Sequence, residues 1–92
     1  MMTDIEDVFK GKTILVTGGA GAIGGNLLRR LAQFSPKKIT IIDDLSSSYE
    51  WNIPRGPDMH FIKGDILDDE KLKWAFKDRP QIIYHLAAHF AN

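Results

Sequence analysis

Thr17-Gly18-Gly19-Ala20-Gly21-Ala22-Ile23-Gly24-Gly25 stands between a short β-branched run, Lys12 to Val16, and an apolar pattern of helical period. A glycine cluster between a strand and a helix is where a dinucleotide pyrophosphate sits: early glycines allow a tight turn and close backbone approach, and a later one lets the helix pack on the strand. Two registers fit. Gly19, Gly21 and Gly24 spell G-x-G-x-x-G, while Gly18, Gly21 and Gly24 spell G-x-x-G-x-x-G.

Outward from this stretch, the chain alternates strands and helices. Thr13-Ile14-Leu15-Val16 is a continuous apolar run suited to a strand buried on both faces. Ile23, Leu27, Leu28, Leu31 and Phe34 then draw one apolar stripe along a helix that Ser35-Pro36 stops. Ile39-Thr40-Ile41-Ile42 reads as the second strand, ending at Asp43-Asp44. Residues Leu45 to Asp58 show no sustained periodicity and read as a loop in which a crossover helix is short or absent; Trp51 and Ile53 are placed as its anchors in preference to ligand contacts. Met59-His60-Phe61-Ile62 is the third strand, closing at Gly64-Asp65-Ile66. Asp68, Asp69 and Glu70 crowd acid into the first turn of a second helix, whose expected buried stripe is Leu72, Ala75 and Phe76 and which ends at Arg79-Pro80. Gln81 to Ala88 is the fourth strand. The pattern predicts an α/β fold, a Rossmann-type doubly wound parallel sheet, incomplete, with strand order 3-2-1-4. The first helix and the long loop would cover one face and the second helix the other. Residues Met1 to Lys10 are expected to be a solvated arm or a short helical turn.

Composition narrows the partners. Ninety-two residues suffice for one small domain but fall below the usual size of a complete doubly wound one. Twelve basic residues balance twelve acidic ones, so no net charge points to nucleic acid or an anionic membrane. There is no cysteine, which excludes disulfides and thiol chemistry. No apolar run approaches membrane-spanning length and the acidic N-terminus is no secretory signal, so the expected location is cytoplasmic.

Asp43 lies 19 residues after Gly24, close to the offset at which an acid grips the adenosine ribose. A carboxylate accepts from both ribose hydroxyls and repels a 2′-phosphate, and no Lys or Arg occurs between Asp43 and Tyr49, so NAD is the expected cofactor. Asp44 competes for this role; it can equally accept from the adenine or cap the following turn with Ser46 and Ser47. Asp65 is placed either as an acceptor for the adenine amino group, with Ile66 on the ring face, or as a turn aspartate capping the next helix. Leu86-Ala87-Ala88 carries no reactive side chain; small residues there let a cofactor approach the backbone, or simply pack the sheet. His85 is read as a hydrogen-bonded structural histidine within a buried strand. His60, His85 and His89 have no metal-site spacing.

Together these residues resemble the extended short-chain dehydrogenase/reductase family, which contains the nucleotide-sugar epimerases and dehydratases. The matching pieces are Thr17 to Gly24, Ile42 to Ser47, Gly64-Asp65-Ile66 and His85 to Ala88, in family order across nearly the whole chain. The resemblance favours Gly18, Gly21 and Gly24 as the register. It implies backbone amides of Ala22 and Ile23 on the pyrophosphate, Asp43 on the ribose with Asp44 and Ser47 beside it, Asp65 and Ile66 at the adenine, and Leu86, Ala87 and Ala88 along the nicotinamide side. It also implies a Tyr-x-x-x-Lys pair and a serine or threonine for catalysis. Tyr49 and Tyr84 are followed four residues on by Ile53 and Ala88, so neither makes that pair, and Phe90 stands where UDP-galactose epimerases commonly carry a lysine. The expectation is the N-terminal part of an NAD-binding Rossmann domain, residues 1–92, with no catalytic residue of its own. A nucleotide sugar is the expected substrate only where the rest of such an enzyme is present. The alternative is a stand-alone NAD-binding or sensing module, or a non-catalytic remnant. An incomplete sheet exposes an apolar edge, so self-association into a homo-oligomer is expected.

Overall fold

The computed structural model describes residues 7–18, 20–45 and 50–86; the side chains of Ala22 and Glu50 are outside that description. The order is β1 (Thr13–Thr17), α1 (Ala22–Ala32), β2 (Lys38–Asp43), a 3₁₀ turn (Glu50–Asn52), β3 (Met59–Lys63), α2 (Asp69–Phe76) and β4 (Ile82–His85). The strands form one parallel sheet in the order β3-β2-β1-β4, as the apolar runs predicted. Between β2 and β3 the described residues contain the 3₁₀ turn and no longer helix.

The two faces bury unequal cores. On one, Ile14, Val16, Ile39 and Ile41 pack beneath Leu28 and Leu31 of α1, joined by Ala20 and by Ile53 from the crossover loop. On the other, Leu15 and Ile42 meet Ala75 of α2, with Ile62 and Ile66 partly buried beside them. At about 1.5–3 kcal/mol per fully buried large aliphatic side chain, the α1 face carries most of the hydrophobic stabilisation. As expected, α1 and the loop cover one face and α2 the other.

Several side chains depart from the expected stripes. Ile23, placed on the buried side of α1, is 79% exposed. It lies in the first turn, beyond the end of β1, where there is no sheet to bury it. Phe76 is 43% exposed, leaving Ala75 as the buried residue of α2. Trp51 is also largely exposed, while Ile53 is buried in the α1-side core and anchors the loop there. Residues 7–9 are helical, and the segment is docked instead of solvated: Phe9 stacks on Phe34 with ring centroids 5.6 Å apart. Gly11, at φ +70°, makes the turn that allows this, its amide donating to the Ser35 carbonyl at 2.9 Å.

The sheet ends at β4 among the described residues. Ile83 and Leu86 stay partly exposed there, and His85 is exposed instead of buried because nothing described covers that strand on the α2 face. Its Nδ1 nevertheless lies 2.7 Å from Thr17 Oγ1, the hydrogen-bonded role expected of it.

Candidate functional site

Parallel strands deliver their carboxyl ends to one edge, and the backbone stitches the loops together there. The Gly18 amide donates to the Ile42 carbonyl at 2.8 Å, the Gly64 amide to Asp43 at 3.0 Å and the Leu86 amide to Thr17 at 2.8 Å. Gly18, Gly21, Asp43, Asp65 and Leu86 therefore line one rim. Gly19, Ser46, Ser47, Tyr49, Ala87, Ala88, His89 and Phe90 lie outside the described residues.

Two glycines of the loop have different reasons to be glycine. Gly18 sits at φ +79°, a left-handed conformation that side chains disfavour. Gly21 has φ −74° and ψ 171°, open to any residue, and among the described residues a Cβ there would meet the Gly18 carbonyl oxygen at an ordinary 3.8 Å. The described residues do not demand glycine at 21, so among them the missing side chain leaves space beside the loop.

The helix that follows is unusual in what it lacks. Gly21 is the N-cap of α1, no side chain among the described residues caps its amides, and its first turn holds no acid. The contrast is α2, whose N-cap Asp68 accepts from the amides of Glu70 at 3.0 Å and Lys71 at 3.3 Å, with Asp69 and Glu70 in the first turn. The first amides of a helix need acceptors and its positive dipole end favours an anion. The described residues supply both to α2 and neither to α1. Asp65, one of whose expected roles was capping that helix, instead accepts from the Leu67 amide at 2.9 Å in the turn before it.

Asp43 faces the same loop. Its Oδ2 accepts from the Ala20 amide at 3.0 Å and its Oδ1 from the Leu45 amide at 2.8 Å. Asp44 beside it is half-buried and also engaged. In the β2–β3 register, Lys63 stands opposite Asp43, a cation that inspection of Asp43 to Tyr49 alone does not reveal. Ile66 packs against the α2-side core while remaining half-exposed. Among the described residues no group of three His, Cys, Asp or Glu could hold a metal ion, and no helix is long and apolar enough to cross a membrane.

Sequence reasoning missed Asn52. Its Nδ2 donates to the Ala20 carbonyl at 2.8 Å, so the residue whose amide Asp43 holds is held again from the crossover turn. An asparagine in an aperiodic loop carries no signal of that contact.

Four parallel strands in this order, with a glycine loop leading from the first into an uncapped helix, define a Rossmann-like fold. The chain belongs to the NAD dependent epimerase/dehydratase family, whose sequence model matches residues 14–92. It is similar to epimerase Mth375 from Methanothermobacter thermautotrophicus, 55% identical with a TM-score of 0.90, covering 100% of this chain and 27% of that one. It is also similar to the Bordetella bronchiseptica enzyme WbmF, whose structure holds NAD+, at 30% identity and a TM-score of 0.83, over 92% of this chain and 26% of that one. The dTDP-D-glucose 4,6-dehydratase of Dictyostelium discoideum is 38% identical over 94 residues, 96% of this chain and 21% of that protein. The chain thus spans about a quarter of the length of these relatives, corresponding to their N-terminal part.

Proposed function

We propose that residues 1–92 form the N-terminal, NAD-binding part of a Rossmann domain in an enzyme that epimerises or dehydrates a nucleotide sugar by transient hydride transfer. The observation that carries this reading is the N-terminus of α1, uncapped by any described side chain and free of acid, beside a Gly21 that the packing of the described residues does not require. An anion fits both features. The Asp43 carboxylate, tied to Ala20, fits the ribose at the other side of the loop.

In this reading the amides of Ala22 and Ile23 hold the pyrophosphate, with Gly18, Gly21 and Gly24 keeping the backbone close. Asp43 accepts from the ribose hydroxyls, with Asp44 and Ser47 beside it. Asp65 accepts from the adenine amino group while Ile66 packs on the ring. Leu86, Ala87 and Ala88 form a wall without protic side chains along the nicotinamide side. Bound NAD supplies a reversible acceptor for hydride from a sugar carbon. The acid/base tyrosine, its lysine and the substrate-binding hydroxyl come from elsewhere in such an enzyme, as does the nucleotide-sugar site; the Bordetella WbmF structure with NAD+ and UDP supports that substrate class.

Calorimetric titration with NAD+, NADP+ and ADP-ribose tests the reading. Saturable one-to-one binding of NAD+ and ADP-ribose, with NADP+ weaker, is expected. Absence of NAD+ binding by folded protein refutes it. A Tyr-x-x-x-Lys encoded downstream of Asn92 supports the enzyme, and a stop codon there supports a non-catalytic NAD-binding module.

A further inference from the structure

Asn52 ends the 3₁₀ turn between β2 and β3, and three observations fix it against the glycine loop. Its side-chain amide donates to the Ala20 carbonyl at 2.8 Å. Its own backbone carbonyl lies so close to α1 that a Cβ built on Gly25 would stand 2.8 Å from that oxygen and 3.4 Å from the Asn52 Cβ. The next residue, Ile53, is buried in the α1-side core. Gly25 therefore serves the turn and not the phosphate: only hydrogen at that position lets the turn lie on the helix.

The peptide joining Ala20 to Gly21 is the one this contact orients. Its carbonyl is held by Asn52, while its N–H makes, among the described residues, a long 3.5 Å contact with the Gly18 carbonyl. Gly21 has no side chain to oppose rotation of that peptide, since glycine adopts either sign of φ readily. A flipped peptide would turn the Ala20 carbonyl dipole toward the open end of α1, where it would repel an anion and compete for the first-turn amides. Asp43 secures the preceding peptide through the Ala20 N–H but leaves this one unconstrained.

We propose that Asn52 is a positioning residue for the phosphate loop, fixing the Ala20–Gly21 peptide so that the α1 amides stay presented to the pyrophosphate. The role rests on the cofactor reading above. It also explains why a loop without helical or strand periodicity crosses so close to the first turns of α1.

The test compares NAD+, ADP and adenosine as ligands, titrated by calorimetry and by amide NMR shifts, on the unmodified protein, Asn52→Asp and Asn52→Ala. Aspartate keeps the shape and loses the donor; alanine removes the donor without adding charge. Both variants are expected to bind NAD+ and ADP about tenfold more weakly, the effect of misorienting one polar group at a charged ligand. Adenosine, lacking phosphate, is expected to stay within about twofold. A general loosening of the fold would weaken all three alike and overturns the proposal. So does a folded Asn52→Ala that keeps the original ADP affinity, even where Asn52→Asp loses it, because charge alone then accounts for the loss. If Asn52→Asp does not fold, the Asn52→Ala ratio of ADP to adenosine affinity decides. Unmodified protein that binds none of the ligands overturns the cofactor reading itself, a result distinct from equal binding by all forms.

Discussion

Replacing Asp43 should lower both stability and cofactor affinity, and the two losses separate its two roles. The carboxylate makes two backbone hydrogen bonds, from the Ala20 amide at 3.0 Å and the Leu45 amide at 2.8 Å. Hydrogen bonds to an ionised group are worth about 1.5–3 kcal/mol each, and Ala20, fully buried, has no water to replace the lost acceptor. The Leu45 side of the site is half-open, so part of its bond is recovered by solvent. Asp43→Ala is therefore expected to destabilise the fold by about 2–4 kcal/mol. Asp43→Asn should come close to this: one side-chain atom still accepts, but the amide nitrogen must then face a second N–H donor. Urea unfolding followed by circular dichroism measures this arm. In the second arm, calorimetry at a temperature where the variant is folded should show NAD+ bound about 1–3 kcal/mol more weakly, the cost of ribose hydroxyls left without their charged partner. Unchanged stability would show that Asp43 does not hold the glycine loop. Unchanged affinity in folded Asp43→Ala would remove it from the site.

Two further outcomes follow from the surface. Asp68→Ala should cost about 0.5–2 kcal/mol through loss of the α2 cap while leaving NAD+ affinity intact, checked by the same pair of measurements. The hydrogen bond from the Lys38 ammonium, opposed by desolvation and aided by the charges of Lys38, Lys77 and His60, holds the Asp78 carboxyl below its ordinary 3.8. A carboxyl lowered by folding stabilises above its unfolded pKa and ceases to do so as pH falls through the folded one. The stability difference between the protein and Asp78→Asn should therefore be small, salt-sensitive and present at neutral pH, and should vanish as pH falls below 3.8. A difference that grows on acidification would refute the pairing.

The sheet was legible because its strands are the kind that sequence reveals well: Ile14 to Val16 and Ile39 to Ile42 are apolar on successive residues, as burial on both faces requires. The capped start of α2 was legible for a local reason too, since Asp68 needs only its next three residues to act. Ile23 was misplaced because helical period gives a direction around the axis but not the distance along it at which the sheet runs out. Lys63 was hidden for another reason, since it stands opposite Asp43 by strand register and not by chain proximity. Asn52 and Gly25 were beyond reach altogether. Their contact joins residues 27 positions apart through an aperiodic loop, and only the folded path of that loop makes the glycine necessary.

The strongest evidence for an anion at α1 is that this helix is built to be stabilised and is not. Gly21 already has the extended backbone of an N-cap, and its Cβ would meet no obstacle among the described residues, so serine or aspartate there could accept from the Ile23 or Gly24 amide as Asp68 does for α2. Gly21→Ser should raise stability by about 0.5–1 kcal/mol, from the cap and from a less flexible unfolded chain. Gly21→Asp should add a few tenths more, about 0.3 kcal/mol or above, through the dipole. The same side chains would occupy the amides assigned to the pyrophosphate, and aspartate would repel it as well. Binding of NAD+ should fall in the order glycine, serine, aspartate, while thermal stability rises in that order, the inverse relation expected where a site is left unsatisfied for its ligand. Parallel loss of stability and binding would mean that the fold requires glycine at 21 after all. Gain of stability with undiminished binding would place the phosphates away from α1 and end the cofactor assignment of the loop.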